Sequence, residues 1–202
     1  MFIIGVTGPS GAGKGAASEY LNTRYGYKVI DADRVYHDII SAPSDCVSEL
    51  VEHFGKGVLN EQGGIDRKAL SKLVFGEENK EKLLLLNKIT HKYVVEEIDT
   101  LLKSFEREGA EVCVIDAPLL IEAGVNKLCD RVLVVYANKE VRAERIAKRD
   151  GIDLESAMLR INSQKPYEFY SENCDFFITN HLRLEELGLF IDSFLRCEGL
   201  IK

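Results

Sequence analysis

Residues 8–14 read Gly8-Pro9-Ser10-Gly11-Ala12-Gly13-Lys14. They follow the short apolar run Phe2-Ile3-Ile4-Gly5-Val6 and precede helix-forming residues from Ala16 to Leu21. In such a context glycines let successive backbone N–H groups turn toward an anion, the N-terminus of the helix adds positive potential, and the lysine supplies a mobile cation. The stretch therefore predicts a nucleotide phosphate-binding loop between a buried strand and a helix.

The position after the lysine departs from the usual pattern of such loops. A Ser or Thr hydroxyl normally coordinates magnesium there, whereas this chain has Gly15 and then Ala16. We therefore expect no direct protein ligand for Mg²⁺, and we expect Asp33 and Asp116 to reach it through water. The alternative is a glycine-rich turn that binds nothing, but such a turn does not require these glycines and the lysine together.

Length and composition predict one compact domain of an ordinary soluble protein. The chain has 202 residues, 46% of them hydrophobic, and a formal net charge of −7. The acidic balance argues against a protein that wraps nucleic acid, and no apolar run approaches the ~20 residues that cross a bilayer. The five cysteines are scattered and form no C-x-x-C pair, so we expect neither disulfides nor a zinc site, and a cytoplasmic location.

Five short runs alternate with longer helical patterns and are read as strands: Phe2 to Thr7, Lys28 to Ile30, Val112 to Ile115, Val132 to Tyr136 and Phe176 to Thr179. Four of them are nearly continuous apolar runs, as in strands buried on both faces. We predict an α/β fold of the P-loop NTPase type, with a parallel five-stranded sheet flanked by helices. A helical insertion at about 34–108 is expected to bind the second substrate, and 138–164 is expected to form a lid. Residues from Leu182 to Leu195 are predicted as a C-terminal helix.

Ligands of parallel sheets bind beyond the carboxyl ends of the strands, and carboxylates follow two of the predicted strands. Asp33 is the candidate that orients and deprotonates an acceptor hydroxyl in phosphoryl transfer. The alternative is that Asp31 or Asp33 caps the following helix. Asp116 has the same ambiguity, between a water-mediated metal contact and a bond to nearby backbone donors.

Cationic candidates lie in the predicted lid and insertion. Arg145 and Arg149 are four residues apart, so they share a helix face and would point at phosphates; the alternative is a solvated face paired with Glu144 or Asp150. His91 either contacts a substrate phosphate or packs at the surface of its helix. Arg67 by itself could be a surface cation.

Seven motifs are distributed along nearly the whole chain: Ile4-Gly5-Val6-Thr7-Gly8, Val29-Ile30-Asp31-Ala32-Asp33, His53-Phe54-Gly55, Ile65-Asp66-Arg67-Lys68-Ala69-Leu70, Thr90-His91, Ala117-Pro118-Leu119-Leu120-Ile121-Glu122 and Arg131-Val132-Leu133-Val134-Val135. Taken together and in register, these motifs resemble the dephospho-CoA kinase family. The Asp-Ala-Asp and Pro-Leu-Leu-x-Glu motifs are the most specific of them.

The resemblance implies transfer of the ATP γ-phosphate to the 3′-hydroxyl of dephospho-CoA, with Mg²⁺, in the last step of CoA synthesis. It implies Asp33, Lys14 and Arg145 as catalytic residues and Arg67, His91, Glu122 and Asp33 at the acceptor. The ATP contacts that it implies are Gly11, Ala12, Gly13, Lys14, Gly15, Ala16, Arg149 and Asn180. No nucleic acid or membrane partner is expected, and the oligomeric state is left open.

The chain departs from the family pattern in three ways: Gly15 lacks the hydroxyl, Lys92 replaces a proline after His91, and Pro166-Tyr167 replaces a basic stretch beyond Gln164. The run Gly13-Lys14-Gly15 suggests a nucleoside monophosphate kinase as the alternative enzyme. A catalytically weak, nucleotide-responsive binding protein is the alternative of a different class. The long insertion and the Pro-Leu-Leu-x-Glu motif argue against the first, and the retained Asp33 and lid arginines argue against the second.

Overall fold

The computed structural model describes residues 1–181 and 184–202. In this part of the chain the strands are β1 (Phe2–Thr7), β2 (Lys28–Asp31), β3 (Val112–Asp116), β4 (Arg131–Tyr136) and β5 (Phe176–Thr179). The helices are α1 (Lys14–Tyr25), α2 (Ala32–Ser41), α3 (Asp45–Phe54), α4 (Arg67–Val74), α5 (Lys80–Arg107), α6 (Lys139–Asp150), α7 (Leu154–Asn162), α8 (Tyr167–Ser171) and α9 (Leu184–Cys197).

The strands form one sheet in the order β2-β3-β1-β4-β5 among the described residues. β1 pairs in parallel with β3 and with β4, and β4 pairs in parallel with β5. The interior residues of β3 and β4 are buried, as their continuous apolar runs predict for strands covered on both faces. The predicted parallel five-stranded sheet and the P-loop fold class are thereby confirmed.

The chain divides into two compact units. The first unit contains residues 1–30 and 105–202, and the second contains residues 31–104. In the first, α1 and α9 bury their apolar sides against the sheet: Leu21, Ile191 and Phe194 belong to the same core cluster as Ile4 and Leu133. The phosphate-loop stretch lies in this unit, between β1 and α1.

The second unit has an apolar core of its own. Ile40 of α2, Leu50 of α3, Val58, Leu70 of α4 and Ile89 of α5 are buried together there. The 28-residue helix α5 begins in this unit, and its periodic apolar positions are the reason that it can bury one side along most of its length. That this insertion binds the second substrate stays a prediction.

Two helices occupy the segment that the sequence assigns to a lid. α6 ends at Gly151, whose φ of 65° closes the helix in the left-handed region, and α7 follows after two more residues. Ala143 and Ile146 of α6 pack with Ala157 and Ile161 of α7. The two-helix arrangement joined at this glycine agrees with the sequence, whereas closure over a ligand stays a prediction.

The C-terminal helix forms as expected, although the predicted start at Leu182 lies outside the described residues. Its Leu187, Ile191, Phe194 and Leu195 are buried in the core of the first unit. In the part of the chain that the structure describes, no helix combines the length and the apolar character that a membrane span requires.

Candidate active site

The loop before α1 folds on itself through its own carbonyl groups. The Ala12 N–H donates to the Pro9 carbonyl at 3.2 Å, and Lys14 Nζ donates to the same carbonyl at 3.4 Å. Gly13 begins α1 with a φ of 105° and provides no side-chain cap. The first N–H groups of α1 therefore donate to no capping side chain, and a helix end of this kind can bind an anion.

Asn180 holds the loop from the end of β5. Its Nδ2 donates to the Ala12 carbonyl at 2.8 Å, and the residue is only 8% exposed. A Cβ on Gly13 would lie 2.3 Å from that Nδ2, so a side chain at this position would displace Asn180. The resemblance implies that Asn180 contacts ATP; in the structure its side-chain amide bonds the loop itself, at the Ala12 carbonyl.

Arg145 lies over the same carbonyl groups. Its Nη1 is 3.3 Å from the carbonyl oxygens of Gly11 and Ala12 and 3.1 Å from that of Asn180. Burial lowers the pKa of this guanidinium from its usual value, but an arginine remains charged at neutral pH. Arg145 and Asn180 thus both bond the Ala12 carbonyl, and Arg145 also bonds the Gly11 carbonyl.

Arg149 is placed differently from Arg145. Its guanidinium makes a two-pronged pair with Asp150, at 2.7 and 3.0 Å, and Arg160 joins the same carboxylate. Hydrogen bonding from Arg149, with the charge of Arg160 added, lowers the pKa of Asp150 to about 2. The carboxylate is thus ionised at any working pH, and Arg149 has the Asp150 pairing that the sequence left open as its alternative.

The carboxylate that follows β3 contacts the helix of the loop. Asp116 Oδ2 accepts a hydrogen bond of 2.9 Å from the hydroxyl of Ser18, a buried residue one turn beyond Lys14. The contact thus comes from a side chain of α1, and the sequence analysis missed Ser18. A polar residue on the side of a helix that otherwise buries Ala17 and Leu21 was the signal that could have identified it.

Glu122 lies in the turn after β3 and is exposed. Its charge adds to the effect of burial in raising the pKa of Tyr170 to about 12. The Tyr170 ring belongs to α8, directly after the predicted lid. The Pro-Leu-Leu-x-Glu motif therefore places its carboxylate in the electrostatic surroundings of Tyr170, within the first unit.

In the second unit, Asp31 and Asp33 have different positions at the start of α2. Asp31 is the N-cap: its Oδ1 accepts from the N–H groups of Asp33 and Arg34, at 2.9 and 3.1 Å. Asp33 is an exposed residue in the first turn of the helix. The structure thus gives the capping role to Asp31, and the Asp33 carboxylate is not the cap.

Arg67 is an exposed residue that lies within electrostatic range of Tyr36 on α2. It is the first residue of α4, whose cap is Asp66. Its charge opposes the effect of burial, which raises the pKa of Tyr36. Tyr36 follows Asp33 by three residues, so the two share a face of α2. That Arg67 and Asp33 both contact the acceptor stays a prediction.

His91 is half-buried in α5, and burial lowers its pKa below the usual value. The residue that follows it, Lys92, pairs with Glu49 of α3 at 3.3 Å, and the hydroxyl of Tyr93 donates to the same carboxylate at 2.7 Å. Lys92, which stands where the resemblance implies a proline, thus links α5 to α3.

Within the described residues, no group of three or more His, Cys, Asp or Glu side chains is placed to hold a metal ion directly. That Asp33 and Asp116 reach magnesium through water stays a prediction.

A sequence model of the family described as dephospho-CoA kinase matches residues 2–186 of the chain. The chain belongs to this family. It is 40% identical over 200 residues to a dephospho-CoA kinase of Fusobacterium nucleatum, with 99% of each chain covered. It is 39% identical to a dephospho-CoA kinase of Carboxydothermus hydrogenoformans, over 91% of this chain and 87% of that protein.

A solved structure gives the same result. The dephospho-CoA kinase from Campylobacter jejuni superposes with a TM-score of 0.71 at 29% identity and covers 98% of both chains. The predicted membership in the dephospho-CoA kinase family, and with it the kinase class, is confirmed. A nucleoside monophosphate kinase, the alternative enzyme, is not the family that the chain matches. The individual site residues of this dephospho-CoA kinase family member stay predictions.

Proposed function

We propose that the protein transfers the γ-phosphate of ATP to the 3′-hydroxyl of dephospho-CoA, giving CoA in the last step of CoA synthesis. The observation that carries the proposal is the loop before α1. Its carbonyl groups are engaged by Arg145 and Asn180, while the helix end behind it has no capping side chain. Such a loop suits phosphates, and the family match over almost the whole chain supports dephospho-CoA as the acceptor.

On the donor side, residues 11–16 bind the ATP phosphates in this proposal. Lys14 exchanges its bond with the Pro9 carbonyl for phosphate oxygens, because an ammonium gains more from an anion than from a neutral acceptor. Arg145 keeps the loop in shape and adds positive charge close to it. Arg149 reaches phosphate only after it has left Asp150, and Asn180 contacts the nucleoside end of ATP.

On the acceptor side, Asp33 orients the 3′-hydroxyl and accepts its proton as the new P–O bond forms, a role that suits a carboxylate that does not cap its helix. Arg67, His91 and Glu122 bind the acceptor. Burial favours the neutral form of His91, which can still donate one N–H to a phosphate oxygen.

In this proposal, magnesium binds together with ATP and neutralises negative charge on its phosphates. The residues present fit an ion held through water: Gly15 offers no hydroxyl, and a Cβ there would meet nothing within 4 Å. Asp33 and Asp116 would accept hydrogen bonds from its water shell. The five cysteines are free, which supports the cytoplasm as the place of action.

The test is a pair of amide substitutions two residues apart. Asp33→Asn should lower kcat for dephospho-CoA by about a hundredfold or more, the usual contribution of a positioned proton acceptor, with ATP binding retained. Asp31→Asn is the matched control, because an asparagine keeps the oxygen that caps α2; it should leave kcat unchanged. Comparable kcat for Asp33→Asn and the parent protein would remove Asp33 from the mechanism.

A further inference from the structure

Arg142, on the second turn of α6, is a buried cation whose hydrogen bonds go to uncharged groups. The residue is 3% exposed. Its Nε donates to the Ser10 carbonyl at 2.9 Å, and its Nη2 donates to Gln164 Oε1 at 2.6 Å. The Tyr136 ring lies 5.9 Å from the guanidinium carbon. Burial lowers the pKa of this guanidinium. Taking a charge out of water is costly, so its position needs an explanation.

The hydrogen bonds of Arg142 are part of a closed ring around one residue of the phosphate loop. Gln164 Oε1 also accepts from the N–H of Ser10, at 3.0 Å. Arg142 thus bonds the carbonyl of Ser10, Gln164 bonds the N–H of Ser10, and the two side chains bond each other. Both backbone groups of Ser10 are fixed, and Arg145 and Asn180 bond the carbonyls of the next two loop residues, Gly11 and Ala12.

The backbone of α6 reinforces the ring. A Cβ on Gly11 would lie 2.8 Å from the Arg142 carbonyl oxygen and 3.1 Å from its Cα. The loop therefore lies directly against the turn of α6 that carries Arg142. Gln164 is two residues beyond the end of α7, so the ring joins both ends of the α6–α7 pair to the loop.

We propose that Arg142 is a positioning residue for phosphoryl transfer, which acts through Gln164 and the backbone of Ser10 to fix the phosphate loop. Catalysis of phosphoryl transfer depends on groups held in place before the reaction. The ring turns the Ser10 carbonyl toward the guanidinium, so this oxygen is directed away from an incoming anion. The planar fork of an arginine makes both bonds at once, which the single ammonium of a lysine does not reproduce.

This inference rests on the proposed function only for the identity of the phosphate donor, ATP. The bonds among Arg142, Gln164 and Ser10 involve the phosphate loop and none of the predicted acceptor residues. ATP binding measured without an acceptor therefore tests it independently of dephospho-CoA. If the acceptor were a different alcohol, the ATP measurements would keep their meaning.

The experiment compares Arg142→Met, Arg142→Lys and Gln164→Leu with the parent protein. The affinity for ATP is measured by calorimetry without acceptor, and kcat and both KM values are measured at 25 °C. We expect Arg142→Met to weaken ATP binding and lower kcat, by about tenfold to a hundredfold in kcat over KM for ATP. KM for dephospho-CoA should stay at the parent value, and Arg142→Lys should recover only part of the loss.

Lys148→Met is the matched control, since it removes a positive charge from an exposed position of the same helix. It should leave the ATP affinity unchanged. Gln164→Leu breaks the ring from a half-buried position and keeps the proposal testable if Arg142→Met does not fold. In a double-mutant cycle, Arg142→Met with Gln164→Leu should be no worse than the more damaging single change, because either change opens the same ring.

If Arg142 only stabilised the fold, its replacement would change the measured quantities differently. Replacement of a buried charge by an apolar residue of similar length often leaves stability equal or raised. If folded Arg142→Met and Gln164→Leu bind ATP and turn over as the parent does, with only the melting temperature changed, the proposal is wrong. Additive effects in the double-mutant cycle would also overturn it, since they would show two independent contacts.

Discussion

Two glycines of the phosphate loop, two residues apart, should respond in opposite ways to the same methyl group. Gly13 has a φ of 105°, which residues with a side chain rarely adopt, and its added Cβ would lie 2.3 Å from Asn180 Nδ2. Gly15 lies in α1, is exposed, and has no heavy atom within 4 Å of the position of a Cβ. Gly13→Ala should therefore destabilise the protein, and Gly15→Ala should stabilise it.

The size of each effect follows from these contacts. Gly13→Ala combines backbone strain of about 1–3 kcal/mol with loss of the Asn180 to Ala12 hydrogen bond, worth about 0.5–1.5 kcal/mol. Gly15→Ala should gain about 0.4–1 kcal/mol, because the unfolded chain loses freedom and the helix does not. At about 2–4 °C per kcal/mol for a chain of this size, we expect a melting temperature about 3–18 °C lower for Gly13→Ala and about 1–4 °C higher for Gly15→Ala.

The assay is thermal unfolding of both variants without nucleotide, followed by titration with ATP. Gly13→Ala should also bind ATP more weakly, since displacement of Asn180 releases the Ala12 carbonyl. Gly15→Ala reports the gain from an alanine in a helix and serves as the control for the added methyl group. Equal melting temperatures for the two variants, together with equal ATP affinity, would refute the account of the loop.

Three further predictions concern the metal, a histidine and the lid. Gly15→Ser should lower the Mg²⁺ concentration needed for half-maximal rate, because a hydroxyl then replaces one water; an unchanged magnesium titration in a folded, active variant would mean that the metal site is complete without it. His91 has a lowered pKa in the folded protein, so the unfolded chain binds more protons between that value and about 6.5, and stability is lost as the pH falls through this window. Urea unfolding of His91→Gln at pH 8 and pH 5 should show a smaller acid loss than the parent, and an identical loss would contradict the assignment. ATP with dephospho-CoA should protect residues 138–164 from proteolysis, and equal cleavage with and without both ligands would count against a lid.

The strands were predictable because burial on both faces forces a simple pattern. Phe2–Thr7 and Phe176–Thr179 have the predicted limits, and the other strands differ from the prediction by one residue at one end. The helix pair at Gly151 was also predictable, since a glycine that ends a helix in the left-handed region is a local signal. Such features depend on residues that are close together in sequence, so one sequence is enough to predict them.

The individual bonds of the site were not predictable in the same way. Sequence left the cap open between Asp31 and Asp33, because either carboxylate can reach the N–H groups of the first helical turn; only the backbone geometry assigns it to Asp31. Arg142 and Arg149 look alike in sequence, yet one is buried against the loop and the other pairs with Asp150. The surroundings of Arg142 and Arg149 differ because of contacts between residues far apart in sequence, such as Ser10 and Gln164. The hydrophobic periodicity of a sequence does not indicate such contacts.

The most direct measurement of the central claim is ATP consumption by the purified protein with a panel of acceptors in the presence of magnesium. The panel contains dephospho-CoA, adenosine monophosphate, cytidine monophosphate and pantetheine, and the product is identified by mass and by the position of the new phosphate. We expect turnover with dephospho-CoA alone and a phosphate on its 3′-hydroxyl. Turnover with a nucleoside monophosphate and none with dephospho-CoA would contradict the account.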